Sequence, residues 1–262
     1  MRLSISTANL YMIPFSRVLS IYRAAGFRFV ELAGYWKGGP WEVAQHLRGI
    51  APADAVKMVR DSGREIATYH DMGGLIDENT PSAVAPDTYR YLEAADIPCV
   101  VLHVPHKRGA DTDWWRAHQK AFLRDAAPLT ARATVCVENM PPLEGCSVPL
   151  TDPQDMHSFL AGSGLYANVD TSHCAQSGAD PARWAEELGS LVGAVHLSDY
   201  DGTPHRPVGS GRLDLAEFAA RLDPVSVQAV TLEAEIPGET DDARIESAKQ
   251  ARARAEKMLA VN

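Results

Sequence analysis

The sequence predicts an α/β protein, a (β/α)8 TIM barrel forming a single domain over residues 1–262. Three observations carry this prediction. Apolar runs alternate between strand-like and helix-like character from end to end, and strict βα alternation implies a parallel sheet. The pattern supplies eight strands, and the chain length of 262 residues suits one closed barrel. Links entering the strands are short (Ala25-Gly26, Ser62-Gly63, Ile97-Pro98, Asp223-Pro224), whereas several links leaving them are long. A barrel enzyme elaborates the loops on its C-terminal face and keeps the other face tight.

Taken in order, the strands are expected at residues 3–7, 27–33, 65–70, 99–104, 134–138, 165–170, 192–198 and 226–233. Helices are expected at 52–62, 86–96, 114–127, 152–160, 181–188, 213–222 and 241–259. Pro, Asp, Ser or Thr sits at or near several of these starts, where a side-chain acceptor or a fixed φ favours the first turn. The long outgoing links cover residues 34–51, 71–85, 139–151 and 199–212. The chain carries no low-complexity linker, no repeat of roughly 20–50 residues beyond the βα unit, and no shift in composition. One domain is expected.

Composition narrows the function classes. Hydrophobic residues make up 45% and charged residues 23%, an ordinary balance for a soluble globular protein. No leader-like segment and no apolar run near the ~20 residues of a membrane span is visible, so the expected compartment is the cytoplasm. Cys99, Cys136, Cys146 and Cys174 form neither a CxxC pair nor a disulfide framework. The net charge of −9 argues against a broad nucleic-acid footprint and favours a small-molecule substrate. Self-association is left open.

Six apolar, β-branched runs stop on a metal-binding side chain. They are EIATYH at His70, CVVLHV around His103, TVCVE at Glu138, YANVD at Asp170, GAVHLSD around His196 and AVTLE at Glu233. An unpaired buried charge costs several kcal/mol, so such groups at matching strand ends imply one shared centre. Glu138, Asp170, His196 and Glu233 are the strongest four. Three carboxylates and one imidazole form a hard, oxygen-rich donor set suited to one divalent metal, Mn2+, Mg2+ or Co2+, with Zn2+ the alternative.

The segments NVDTSH, VHLSD, VTLE and HRPVGSG, in this order, resemble the xylose-isomerase-like TIM-barrel superfamily, and the likeness runs from GFRFVEL to VTLE. That group includes sugar and sugar-phosphate isomerases and epimerases, inosose dehydratases and isomerases, dehydroshikimate dehydratases and endonuclease IV. In its D-tagatose 3-epimerase branch the positions matching Glu138, Asp170, His196 and Glu233 bind one divalent metal. The resemblance makes Glu138 and Glu233 the opposed acid/base pair as well. A carbonyl chelated with its neighbouring hydroxyl gives an acidified C–H and a stabilised enediolate, and a carboxylate on each face moves the proton.

The resemblance also gives His173 a substrate contact. His205 and the adjacent Arg206, just before Gly209-Ser210-Gly211, are expected to meet a phosphate or hydroxyls. His70 and His103 fall where endonuclease IV carries extra zinc ligands; substrate hydrogen bonding is at least an equal reading. Thr203 stands where that enzyme's third site has an aspartate, and Asp71-Met72-Gly73 departs from its sequence after His70. Glu31 follows an apolar strand and either orients a ligand or forms a buried ion pair. Trp36, Trp41, Trp114 and Trp115 either wall a sugar pocket or fill gaps between loop and helix. His106 and Lys107 are read as a solvated loop, with phosphate contact the alternative.

The leading expectation is a metal-dependent isomerase or epimerase of a small sugar, sugar phosphate or related polyhydroxy carbonyl compound. The alternatives are a dehydratase using the same groups, an endonuclease IV-like zinc phosphodiesterase and a non-catalytic binding barrel. With an excess of nine acidic residues, duplex DNA containing an abasic site is expected to show no useful affinity at physiological salt. A gel-shift and incision assay checks this, and efficient cleavage of the abasic strand overturns it.

Overall fold

In the computed structural model, described for residues 1–34, 46–74, 82–107, 109, 111–142 and 150–260, eight parallel strands close into a barrel in sequential order. They are β1 Arg2–Ser6, β2 Phe29–Ala33, β3 Glu65–Asp71, β4 Cys99–Leu102, β5 Thr134–Glu138, β6 Tyr166–Asp170, β7 Val192–Leu197 and β8 Ala229–Leu232. The strands match the expected positions to within one residue at each end, except that β2 starts two residues later, β4 ends two residues earlier and β8 starts three residues later, because the chain through Ser226 still forms the preceding turn. Pairing of β1 with β8 closes the ring.

The helices α1 Phe15–Ala24, α2 Pro52–Asp61, α3 Pro86–Ala94, α4 Thr112–Ala126 and α5 Pro153–Leu160 are followed by α6 Thr171–Gln176, α7 Pro181–Leu188, α8 Leu215–Ala220 and α9 Asp241–Leu259. The local chemistry of their starts is the expected one. Asp111, Asp152, Asp180, Asp214 and Thr240 each accept a backbone N–H of the first turn. Proline opens α2, α3, α5 and α7, where its missing N–H costs nothing. The sequence pattern predicts neither α1 nor α6. The second is only six residues long and begins directly on Asp170, so it lacks a full apolar period. No described helix is long and apolar enough to cross a membrane.

Strand alternation splits the buried residues into two sets. Outward-facing side chains such as Val30, Leu32, Val100, Val135, Val169, Val195 and Val230 join the helices in one large core. Inward-facing Cys99, Val101, Cys136 and Ala194 form a small apolar plug inside the barrel. Beyond this plug the lumen is polar. Ser4 Oγ lies 2.8 Å from Thr231 Oγ1, and Thr68 Oγ1 donates to Glu31 Oε2 at 2.8 Å.

Two irregularities in register shape the C-terminal end of the barrel. Between β2 and β3 the pairing moves from Val30↔Ile66 to Glu31↔Thr68, passing over Ala67. Between β6 and β7 it moves from Ala167↔Val192 to Asn168↔Ala194, passing over Gly193, and this shift aligns Asp170 with His196. Gly193 fits because it has no side chain. A Cβ there would lie 2.8 Å from Cys136 Sγ and 2.8 Å from Tyr166 Cβ. Gly193→Ala is therefore expected to destabilise the fold by roughly 1–3 kcal/mol, as overpacking does. Urea unfolding checks this, and an unchanged midpoint would show that the strand absorbs the methyl group freely.

Candidate metal centre

Glu138 ends β5, Asp170 ends β6, His196 is the fifth residue of β7, and Glu233 follows β8 directly. Their side chains converge at the C-terminal mouth, with ligand-type atoms all within 4.8 Å of one another. His196 Nδ1 is the focus. It lies 2.6 Å from Glu233 Oε2, 3.5 Å from Glu138 Oε1 and 4.0 Å from Asp170 Oδ2. The other ring nitrogen, Nε2, donates to Glu31 Oε2 at 3.0 Å. Asp170 divides its two oxygens in the same way: Oδ1 caps α6 by accepting His173 N–H at 2.8 Å, and Oδ2 faces the cluster.

The donor set fits a divalent cation. Among the described residues, Glu138 Oε1 and Oε2, Asp170 Oδ2, His196 Nδ1 and Glu233 Oε2 are buried without a hydrogen-bond partner. Leaving such groups unsatisfied costs roughly 1–3 kcal/mol apiece, more when charged. Here all four residues leave their unpartnered atoms aimed at one point. Three oxygens and one nitrogen from four rigid strand ends are a hard donor set.

The remaining histidines surround Glu138. His70 Nε2, His103 Nε2 and His173 Nδ1 approach its oxygens at 3.2, 3.4 and 3.1 Å. His103 is held from behind, its Nδ1 donating to Gly73 O at 3.0 Å, whereas His173 Nδ1 lies between Asn139 O at 2.9 Å and Glu138. His70 Nε2 lies 2.9 Å from His103 Nε2. The ligand-type atoms of His70, His103 and Glu138 form a second close grouping, those of Asp170, His173 and His205 a third, and those of Glu31, His70, His196 and Glu233 a fourth.

Electrostatics follow from this crowding. Burial would raise the Glu138 carboxyl, but the His196, His103 and His173 rings hold it well below the usual carboxylate range. Burial likewise opposes the charge on Glu233, and His196 outweighs it, drawing the carboxyl down to about 2. Burial works against protonating His70 and His173, yet the surrounding carboxylates lift them to about 10 and about 9. Asp170 is raised, chiefly by burial.

The site opens into a cavity of about 320 Å3, lined by His70, His103, His106, His173 and His205 beside Glu138 and Glu233, with Ala8, Met72, Met140 and Pro141 as apolar wall. Four of the five residues expected to bind substrate thus line it. Arg206 instead directs its guanidinium to Glu235 at 2.8 Å and Asp201 at 3.3 Å. His106 is buried rather than solvated, donating from Nδ1 to Val104 O at 3.1 Å. Trp114 stacks on His118 and Trp115 packs on Phe159, so both fill gaps away from the cavity. Trp36, Trp41 and Cys146 lie outside the described residues.

The glycines of the GSG element serve the loop. Gly209 has φ +79°, and its N–H donates to Asp199 Oδ2. Asp199 Oδ1 accepts from the backbone N–H of Tyr200 and Leu213. This clamp delivers His205, which adopts φ +53°, an uncommon conformation for a residue with a Cβ. His205 is fixed there by its N–H to Ser172 Oγ and its Nδ1–H to Glu233 O.

Asn139 is a positioning residue that pattern reading missed. Its side chain brackets the Asp170 peptide, Oδ1 accepting from Asp170 N at 2.7 Å and Nδ2 donating to Asp170 O at 3.2 Å. Its own carbonyl holds His173. An asparagine directly after a strand-end glutamate was the available signal.

A closed parallel barrel with carboxylates and imidazole gathered at its C-terminal mouth defines the class: a (β/α)8 barrel with a buried cluster that could hold a metal ion. More particularly, the chain belongs to the xylose isomerase-like TIM barrel family, whose model matches residues 19–259. Among curated proteins none matches its sequence. Solved structures share the fold over nearly the whole chain. A D-tagatose 3-epimerase-like protein is 16% identical with TM-score 0.71, covering 100% of this chain and 98% of its own. A D-psicose 3-epimerase, solved in the presence of D-fructose, is 15% identical with TM-score 0.73, covering 99% of each chain. The 3-keto-D-glucoside 4-epimerase of E. coli is 17% identical with TM-score 0.73, covering 97% of this chain and 99% of its own.

The pH response of the metal-free protein follows from these shifts. His70 and His173, raised from 6.5 to about 10 and about 9, stabilise the fold fully below about pH 6.5, and this is lost as pH rises through 9 to 10. Glu233, lowered from 4.5 to about 2, stabilises it above about pH 4.5, and this is lost as pH falls through 2. Thermal melts in chelator are expected to peak between these limits. A Tm that holds or climbs from pH 6.5 to 10 would contradict the protonated histidine ring.

Proposed function

We propose that this protein is a divalent-metal-dependent isomerase or epimerase of a small sugar, sugar phosphate or related polyhydroxy carbonyl compound. One observation carries the reading. Glu138 and Glu233 flank Asp170 and His196 at the cavity floor, each with an oxygen near His196 Nδ1 and each lining the cavity. A divalent cation held by these four residues, Mn2+, Mg2+ or Co2+ by donor hardness, supplies Lewis acidity to a bound carbonyl and hydroxyl. One glutamate removes the proton from the carbon beside the carbonyl, and the other returns it on the opposite face. His70, His103, His173 and His205 hydrogen-bond the substrate oxygens, while Met72, Met140 and Pro141 exclude water along one wall. That several structural neighbours are sugar epimerases supports the reading.

Two other readings use the same residues and predict different results. A dehydratase would expel water after the same proton abstraction. A zinc phosphodiesterase would need further ions in the His70–His103–Glu138 and Asp170–His173–His205 groupings. Metal content of the purified protein separates the last case: roughly one ion per chain fits the isomerase, and two or three zinc ions fit the phosphodiesterase.

Incubation with ketoses, ketose phosphates, inososes and dehydroshikimate-like acids in D2O is expected to place deuterium at the exchanging carbon of an isomeric product. Glu138→Gln and Glu233→Gln are each expected to lower kcat by roughly 10²–10⁴-fold, the usual worth of a positioned acid or base. Near-normal turnover by either metal-loaded variant would remove the proposed pair. Water loss with a near-ultraviolet conjugated carbonyl, and no isomer, would replace the isomerase by the dehydratase.

A further inference from the structure

Glu31 is a carboxylate of the lumen that does not line the cavity. It is fully buried, lies on β2 and is not one of the four residues assigned to the metal. Its Oε2 accepts from His196 Nε2 at 3.0 Å and from Thr68 Oγ1 at 2.8 Å. Its Oε1 lies 3.7 Å from His70 Nδ1. One carboxylate therefore backs two imidazoles, and the far nitrogen of each faces Glu138, at 3.5 Å from His196 and 3.2 Å from His70.

The surrounding strands are built around this arrangement. The irregularity between β2 and β3 falls at Val30/Glu31 and brings Thr68, not Ala67, beside Glu31. A bulge re-aims side chains in just this manner. Behind Thr68, the chain of hydroxyls continues to Thr231 at 3.5 Å and on to Ser4 at 2.8 Å. An aliphatic lumen would have cost less, since each buried hydroxyl must be satisfied. These hydroxyls hold the back of a carboxylate whose front is occupied by histidine.

We propose that Glu31 is the positioning residue of the metal centre: it fixes the proton of His196 on Nε2, so that the Nδ1 lone pair faces Glu138, Asp170 and Glu233. Imidazole has two nitrogens, and only the hydrogen bond made by one decides which is free to ligate. A carboxylate behind the ring also makes the ligating nitrogen more basic, and losing such a partner typically costs 10–100-fold in metal affinity. The role rests on the reading that the four strand-end residues hold the metal. It excludes a different one, in which Glu31, His70, His196 and Glu233 form the ligand set themselves.

Co2+ serves as the probe, because its binding is read directly by titration and its paramagnetism shifts nearby protons in NMR. In Co2+-loaded wild type, an exchangeable, hyperfine-shifted imidazole N–H is expected, disappearing only slowly in D2O because Glu31 and burial protect it. Glu31→Gln retains an acceptor for that proton and is expected to weaken Co2+ about 10-fold with the signal preserved. Glu31→Leu removes acceptor and charge and is expected to weaken Co2+ about 100-fold, with the N–H signal shifted or exchanging rapidly. Thr68→Val, which keeps the carboxylate and frees its back, is expected to fall between wild type and Glu31→Gln.

The outcomes are separable. A wild type that binds no Co2+ overturns the metal centre and this role with it. Wild-type binding without a protected N–H makes Glu31 a ligand and overturns the role alone. Glu31→Leu with native near-ultraviolet circular dichroism and wild-type affinity does the same. If Glu31→Leu fails to fold, equal affinity of Glu31→Gln and Thr68→Val to wild type, with unaltered N–H exchange, overturns it instead.

Discussion

His196 stands between two kinds of carboxylate, and the geometry of the site depends on that division. Nε2 faces Glu31 inside the lumen, and Nδ1 faces the three acids at the mouth. A single imidazole cannot present a lone pair on both sides, so the inner hydrogen bond decides what the outer nitrogen offers. The imidazole is fully buried, and burial alone would keep it neutral; Glu233, Glu31 and Glu138 together reverse this and hold its protonation well above the ordinary range. In the metal-free protein a proton thus occupies the centre, and a cation bound there would have to displace it.

Such a lumen is expensive in folding free energy. The barrel concentrates buried carboxylates and imidazoles where other barrels stack aliphatic side chains, and several of their atoms lack partners among the described residues. Even Asn168, fully buried beside Glu138 in the register, leaves both amide atoms unpaired. The outer core, which joins the strands to the helices, offsets this by hydrophobic burial. The small cluster of Cys99, Val101, Cys136 and Ala194 is the apolar part of the lumen. Stability therefore resides outside the barrel wall and chemistry inside it.

The loops convert this floor into an enclosed site through backbone clamps rather than bulk. Asp199 gathers three amide N–H groups and so shapes the turn that carries His205. Asp71 does similar work after β3, accepting from Gly73 N, Ala85 N and Thr88 Oγ1. Asn139 ties the peptide of one metal-facing residue to the ring of a neighbouring histidine. The loop between β7 and α8 and the residue after β5 thereby set the positions of His205 and His173. The histidines consequently form a rigid polar collar, with His205 held in a left-handed conformation that only such anchoring sustains.

Much of this was legible in the residues alone. Period-two alternation ending on Glu138, Asp170, His196 and Glu233 announced both the strands and the chemistry, because a charged group at a strand end has to be satisfied at the barrel mouth. Short incoming and long outgoing links identified which mouth. Helices without a full apolar period, such as Thr171–Gln176, were not legible. Arg206 looked like a substrate contact because it adjoins His205, but neighbours in sequence diverge in space, and it pairs with Asp201 and Glu235. The partnership of Glu31 with His196 was equally hidden, since 165 positions separate the two residues. Barrel closure and the register shifts at Glu31 and Gly193 bring such residues together. The sequence by itself determined which side chains stand at the strand ends, through local alternation. Only the tertiary structure decided which of them meet, because one residue of register turns a side chain to the other face of the wall.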